Sequence, residues 1–171
     1  MSKKKNYKEC ITTPFETGIR NFTIIAKYFL YYAPNIDSAH SVGEINIDSA
    51  SDIFDSLLKV DHIKKRTKTL KRIQPASWKS YDLDTEILDF EISRMTFDVY
   101  KNEDELHALL RHIRNSLAHG HLYVWRKKRG DFIFLVDYDS KKNKETAKLM
   151  LSKNILEEWK AILENEIAIG E

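Results

Sequence analysis

An arginine and a histidine four residues apart, with an asparagine directly after the arginine, are the side chains of this sequence best suited to chemistry. They lie in Arg111-His112-Ile113-Arg114-Asn115-Ser116-Leu117-Ala118-His119-Gly120-His121. Arg114 carries a planar fork of donors that matches phosphate oxygens and stays charged. His119 supplies an imidazole, the side chain whose ordinary pKa of about 6.5 suits proton transfer near neutrality. These groups suit cleavage of RNA by its own 2′-OH. The hydroxyl loses a proton and attacks the adjacent phosphorus, the 5′-oxygen leaves with a proton, and a fixed cation stabilises the phosphorane charge. Asn115 can orient either group or donate to the phosphate, while Arg111 can hold a flanking phosphate and His121 is a further RNA-binding candidate. One histidine does not easily act as base and acid together. Two motifs meeting across a twofold axis would make one His119 the base and its mate the acid, so a homodimer is expected. The expected product ends in a 2′,3′-cyclic phosphate, with no metal or other cofactor involved.

These residues must be carried on a helix end. Asn102 followed by Glu105 reads as a capping box, predicting a helix from about Glu103. Leu106, Leu109, Leu110, Ile113 and Leu117 form its apolar stripe, with His107, Arg111, Arg114 and Ala118 on another face. At about 100° per residue, an uninterrupted helix separates Arg114 from His119 by roughly 140°. Gly120, just past the last helical residue, is expected to turn the chain through a left-handed conformation and swing His119 back. A purely structural reading of the same residues has Arg114 paired with an acidic neighbour and His119 bonded to helix-end carbonyls.

The stretch Arg114 to Gly120, RNSLAHG, resembles the R-x(4–6)-H motif of the HEPN superfamily, small helical domains named for occurrence in higher eukaryotes and prokaryotes and for nucleotide binding. Asn after the arginine, Ala before the histidine and Gly after it agree with the family wording. His121 also falls within the permitted spacing, and His119 is preferred because Ala118-His119-Gly120 is the commoner form. The resemblance implies that Arg114 and His119 form a catalytic pair assisted by Asn115. It further implies a metal-independent endoribonuclease with its site shared by two protomers, of the kind found among toxins and phage-defence effectors, with a protein antitoxin as a candidate partner. The alternative is a noncatalytic helical module that dimerises and binds a nucleotide or protein. The expected fold is mainly α, a HEPN-like bundle of four to five helices with a small antiparallel β-hairpin after the motif helix.

Composition sets the outer bounds. A chain of 171 residues, 32% charged and 42% hydrophobic, is expected to form a single domain over residues 13–171 behind a flexible tail at 1–12. One cysteine, Cys10, allows no internal disulfide, and no spaced Cys/His set marks a metal site. Lys3, Lys4 and Lys5 lack the apolar run of a signal peptide, and Phe22 to Ala33 is too short to span a bilayer. A cytoplasmic protein without membrane association is expected. No nucleophile elbow is present, which argues against a serine or cysteine hydrolase. The net charge of +2 excludes a simple polycation, but basic blocks stand at Lys64 to Arg72 and Arg126 to Arg129, with acidic residues from Asp82 to Glu91. That division is compatible with an RNA-facing side and equally with solvated surface.

The remaining elements follow from spacing. Thr13-Pro14 reads as the start of a helix ended by Pro34, apolar on two sides through Phe22, Ala26 and Phe29 and through Ile24, Tyr28 and Tyr31. Ser49 or Ser51 would cap a second helix with Ile53, Phe54, Leu57, Val60 and Ile63 inward, extending as far as Ile73. Residues 81–100 fit strand and helix periodicities alike. Leu122 to Trp125 and Phe132 to Val136 predict a hairpin through Lys128-Arg129-Gly130-Asp131. Asp139 to Lys144 reads as a loop and Lys148 to Leu151 as a short third strand. Ser152 caps a last helix that turns Ile155, Leu156, Trp159, Ile162 and Leu163 inward.

Overall fold

A computed structural model describes residues 10–11, 15, 17–34, 47–60, 71–73, 93–127, 130–139, 141 and 144–169. In chain order the elements are β1 (Cys10–Ile11), α1 (Phe22–Lys27) running into a π-helical turn (Tyr28–Tyr32), α2 (Ile47–Leu58), β2 (Lys71–Ile73) and β3 (Arg94–Phe97). The motif helix α3 (Glu105–Ala118), β4 (Leu122–Lys127), β5 (Gly130–Asp139), β6 (Lys144–Ser152) and α4 (Lys153–Ile169) follow.

The expectation of a helical bundle with a small hairpin does not hold. The strands form one six-stranded sheet in the order β1-β4-β5-β6-β3-β2, with β4, β5 and β6 as its long antiparallel centre. Four stretches account for the difference. β6 starts at Lys144, inside the stretch read as a loop, because its polar first half alternates with Ala147, Leu149 and Leu151, all fully buried. Within the ambiguous 81–100 stretch, Arg94–Phe97 pairs with β6 and buries Met95 and Phe97, a period of two that Val99 at helical spacing had masked. Lys71–Ile73, assigned from sequence to the end of a long helix, is a strand parallel to β3, and α2 stops at Leu58. Cys10–Ile11, within the stretch read as a tail, pairs with Tyr123 and Leu122 of β4.

α3 and α4 pack on the sheet face that carries Ile133 and Leu135, the first two helices pack against them, and this layer holds the main core. Its largest fully buried side chain is Trp159, whose Nε1 donates to the Leu57 carbonyl at 2.8 Å, binding α4 to α2. On the opposite face Phe132 and Met150 form a separate cluster with Phe134. Ser152 caps α4 as its position implies, Oγ accepting from Ile155 N–H at 3.3 Å. The first helix begins at Phe22, after Asn21 in a left-handed conformation, and ends where Ala33 takes the extended ψ of 144° that a following proline favours. Of its second apolar side Tyr28 is buried, whereas Ile24 and Tyr31 are exposed. Thr13-Pro14, the basic residues 64–68, the acidic residues 82–91 and Lys128-Arg129 lie outside the described residues. Among the described residues no helix is long and apolar enough to cross a membrane.

Candidate active site at the end of the motif helix

The cap that starts α3 is Asp104, two residues later than the Asn102 expected. Its Oδ1 accepts from His107 N–H at 3.0 Å, and its Oδ2 meets the His107 ring. Glu103 is thereby left outside the helix and turns to Arg111 instead. The two form a bidentate pair, Nε to Oε1 and Nη2 to Oε2 both at 2.7 Å, with the guanidinium 4.0 Å over the Tyr100 ring. Burial alone would raise the Glu103 carboxyl, but the bonds from Arg111 and Tyr100 N–H and the Arg111 charge hold it below the ordinary range. Arg111, expected on a flanking phosphate, thus has its fork on a carboxylate.

The apolar stripe seats the helix. Leu106, Leu109, Leu110, Ile113 and Leu117 are all buried, each worth about 2 kcal/mol when removed from water. His112 lies within this buried side rather than on the solvent face, with no exposure at all. Its Nδ1 stands 2.7 Å from Asp137 Oδ2 and its Nε2 2.8 Å from the Asp98 carbonyl oxygen. A carbonyl oxygen only accepts, so Nε2 carries a proton while Nδ1 faces the carboxylate. Asp137 reaches this position from β5, directly after Val136, whose N–H donates to the His121 carbonyl at 3.1 Å, and at the point where the β5–β6 pairing shifts between Asp137 and Tyr138.

Asn115 joins the same carboxylate, Nδ2 donating to Asp137 Oδ2 at 3.3 Å, while Tyr138 N–H donates to Oδ1 at 2.9 Å. Burial works to raise the Asp137 carboxyl, and the His112 bond and charge, the Asn115 amide and the Tyr138 N–H outweigh it, holding the group below its ordinary value. Arg114 is half-buried beside Asn115.

The helix closes in a Schellman turn. His121 N–H donates to Ser116 O at 2.9 Å and Gly120 N–H to Leu117 O at 3.3 Å, with Gly120 at φ 68°. His119 is the C-cap, exposed, its N–H bonded to Asn115 O at 2.9 Å. Gly120 follows His119, so the residue it redirects is His121. That ring comes back to 6.1 Å from His119 between centroids and rests edge-on against Tyr138 at 4.8 Å. The turn therefore gathers two imidazoles and a phenol at one corner, beside the Asp137 network.

A family model described as HEPN pEK499 p136 matches residues 11–167. The chain belongs to the HEPN superfamily. No curated protein and no solved structure shows a significant match to it. As a HEPN domain it is a nuclease-like or nucleotide-binding module, and the matched span takes in the sheet as well as the helices. Among the described residues no group of three or more His, Cys, Asp and Glu is placed to hold a metal ion.

Sequence reasoning missed His112, Asp137 and Tyr138. A signal for the first was available, since His112 and Ser116 follow Leu109 at helical spacing and so break an otherwise apolar side. Asp137 offered a weaker one, a carboxylate continuing the alternation of Ile133 and Leu135 into the core.

Proposed function

We propose that this HEPN domain is an endoribonuclease that cleaves RNA through attack of the 2′-OH, without a metal, at a site completed by a second copy of the chain. The observation that carries the reading is the exposed imidazole of His119 at the helix end, one turn after an asparagine held by a buried carboxylate. Arg114 stabilises the phosphorane charge, because a guanidinium remains charged and presents paired donors. His119 moves the proton, and its mate in the second protomer completes the acid–base pair. The 2′-oxygen bonds to phosphorus as the bond to the 5′-oxygen breaks. One imidazole accepts the 2′ proton and the other delivers a proton to the departing 5′-oxygen.

The test is incubation of purified protein with structured RNA in EDTA, beside Arg114→Ala and His119→Ala. Cleavage to 2′,3′-cyclic phosphate ends that both substitutions abolish supports the enzyme. Wild-type inactivity over a broad RNA panel, or equal cutting by all three proteins, favours a noncatalytic module that binds a nucleotide or protein. Toxin or phage-defence action, and a protein antitoxin, are the biological settings this activity fits.

A further inference from the structure

We propose that Asp137 is a positioning residue for the motif: it holds the Asn115 amide with its nitrogen inward, so that the amide oxygen receives the ring N–H of His119 and orients that imidazole. The kinetic part of this inference rests on the nuclease reading; the geometric part does not.

The orientation of an amide is decided by its partners, and here they are unambiguous. Asp137 accepts at both oxygens, from His112 and Asn115 at Oδ2 and from a backbone N–H at Oδ1. An ionised carboxylate has nothing to donate, so the Asn115 atom facing it is Nδ2. The planar amide then turns Oδ1 away from Asp137.

His119 stands one turn on from Asn115. Residues at i and i+4 are neighbours on a helix, about 5–6 Å apart between Cβ atoms, and here the backbone also ties His119 N–H to Asn115 O. The group Asn115 offers to the site is therefore an acceptor. It suits an imidazole N–H and repels a phosphate oxygen. An acceptor on one ring nitrogen fixes the tautomer and leaves the other nitrogen for the substrate proton. The resulting chain of hydrogen bonds runs from the Asp98 carbonyl through His112, Asp137 and Asn115 to His119.

The inference makes a distinctive demand on two isosteric variants. In Asp137→Asn, the Tyr138 N–H keeps an oxygen acceptor, so the new NH2 group takes the place of Oδ2 and faces both His112 Nδ1 and Asn115. Asn115 must flip, and it then presents a donor to His119. The expected result is a folded protein with kcat lowered about tenfold to hundredfold and KM unchanged, the pattern of a misplaced group. In the double variant Asn115→Asp/Asp137→Asn, an oxygen again faces each way, and most of the lost kcat should return. Asn115→Asp alone sets two carboxylates together and should not recover.

Wild-type kcat in Asp137→Asn, or a double variant no faster than it, overturns the inference. Thermal unfolding of each variant separates these outcomes from loss of the fold. A second readout is free of activity: the Asn115 side-chain amide protons should exchange slowly in wild type and rapidly in Asp137→Ala. Fast exchange in the wild type overturns the orientation even where RNA is cut. If wild type cuts no RNA, the nuclease reading falls and the amide measurement alone decides the geometry.

Discussion

Asp137 Oδ2 lies 2.7 Å from His112 Nδ1, a contact between the middle strand of the sheet and the motif helix in which neither side chain is more than 4% exposed. A buried pair broken from one side leaves the other charge without compensation. Asp137→Ala should therefore destabilise the protein by about 3–5 kcal/mol, read from urea denaturation. A loss below about 1 kcal/mol would show that the pair does not persist in solution.

The same contact sets a direction for acid unfolding. The Asp137 carboxyl sits below its ordinary 3.8 when folded, despite burial that favours the neutral form, because His112, Asn115 and the Tyr138 N–H prefer the anion. The unfolded chain then binds more protons as pH falls. The resulting stability is complete above the unfolded value and drains as pH drops through the folded one. Glu103, lowered from 4.5 with burial opposing and Arg111 prevailing, contributes with the same sign. Denaturation midpoints should decline below about pH 4, with a shallower decline in Asp137→Asn; a decline only above neutrality would contradict the assignment.

Gly120 takes φ 68° to close the helix, a region that costs a residue with a Cβ about 1–2 kcal/mol. Gly120→Ala should lower stability by that amount, and Gly120→Asn by less, since asparagine tolerates the left-handed region. Equal melting temperatures for the three proteins would mean the turn is not as described.

Arg111 gives a test of phosphate contact. Its fork is occupied by Glu103, so Arg111→Ala should cost about 1 kcal/mol of stability and leave the salt dependence of RNA binding unchanged. A slope reduced by nearly one unit would return Arg111 to the phosphate role its position in the sequence implied.

A site completed across a twofold axis requires a dimer. Light scattering should give twice the 20.1 kDa of one chain at working concentration, and a monomer that still cuts RNA would remove the shared site from the mechanism.

The motif helix was legible because its signals are local: Leu106 to Leu117 at helical spacing, a cap before the stripe and a glycine after it. The last helix, capped by Ser152, was legible for the same reason. The sheet was not, because its extent depends on pairing between distant residues. Thr96 meets Lys148, and Lys71 meets Arg94, contacts that no short window contains. Local chemistry also misjudged the cap, since Asn102 and Asp104 are both good caps and the choice was made by Glu103 engaging Arg111. At the site, Arg114, Asn115 and His119 stand out by their chemistry and by the RNSLAHG motif, both of which are local. The carboxylate beneath Asn115 was hidden because it comes from a strand 22 residues further on.

β5 is flanked by β4 and β6 over the stretch that leads to Asp137. Amides enclosed this way open only when the whole domain does. The anchor beneath Asn115 therefore has the lifetime of the native state rather than that of a loop, and heat inactivation should coincide with global melting instead of preceding it.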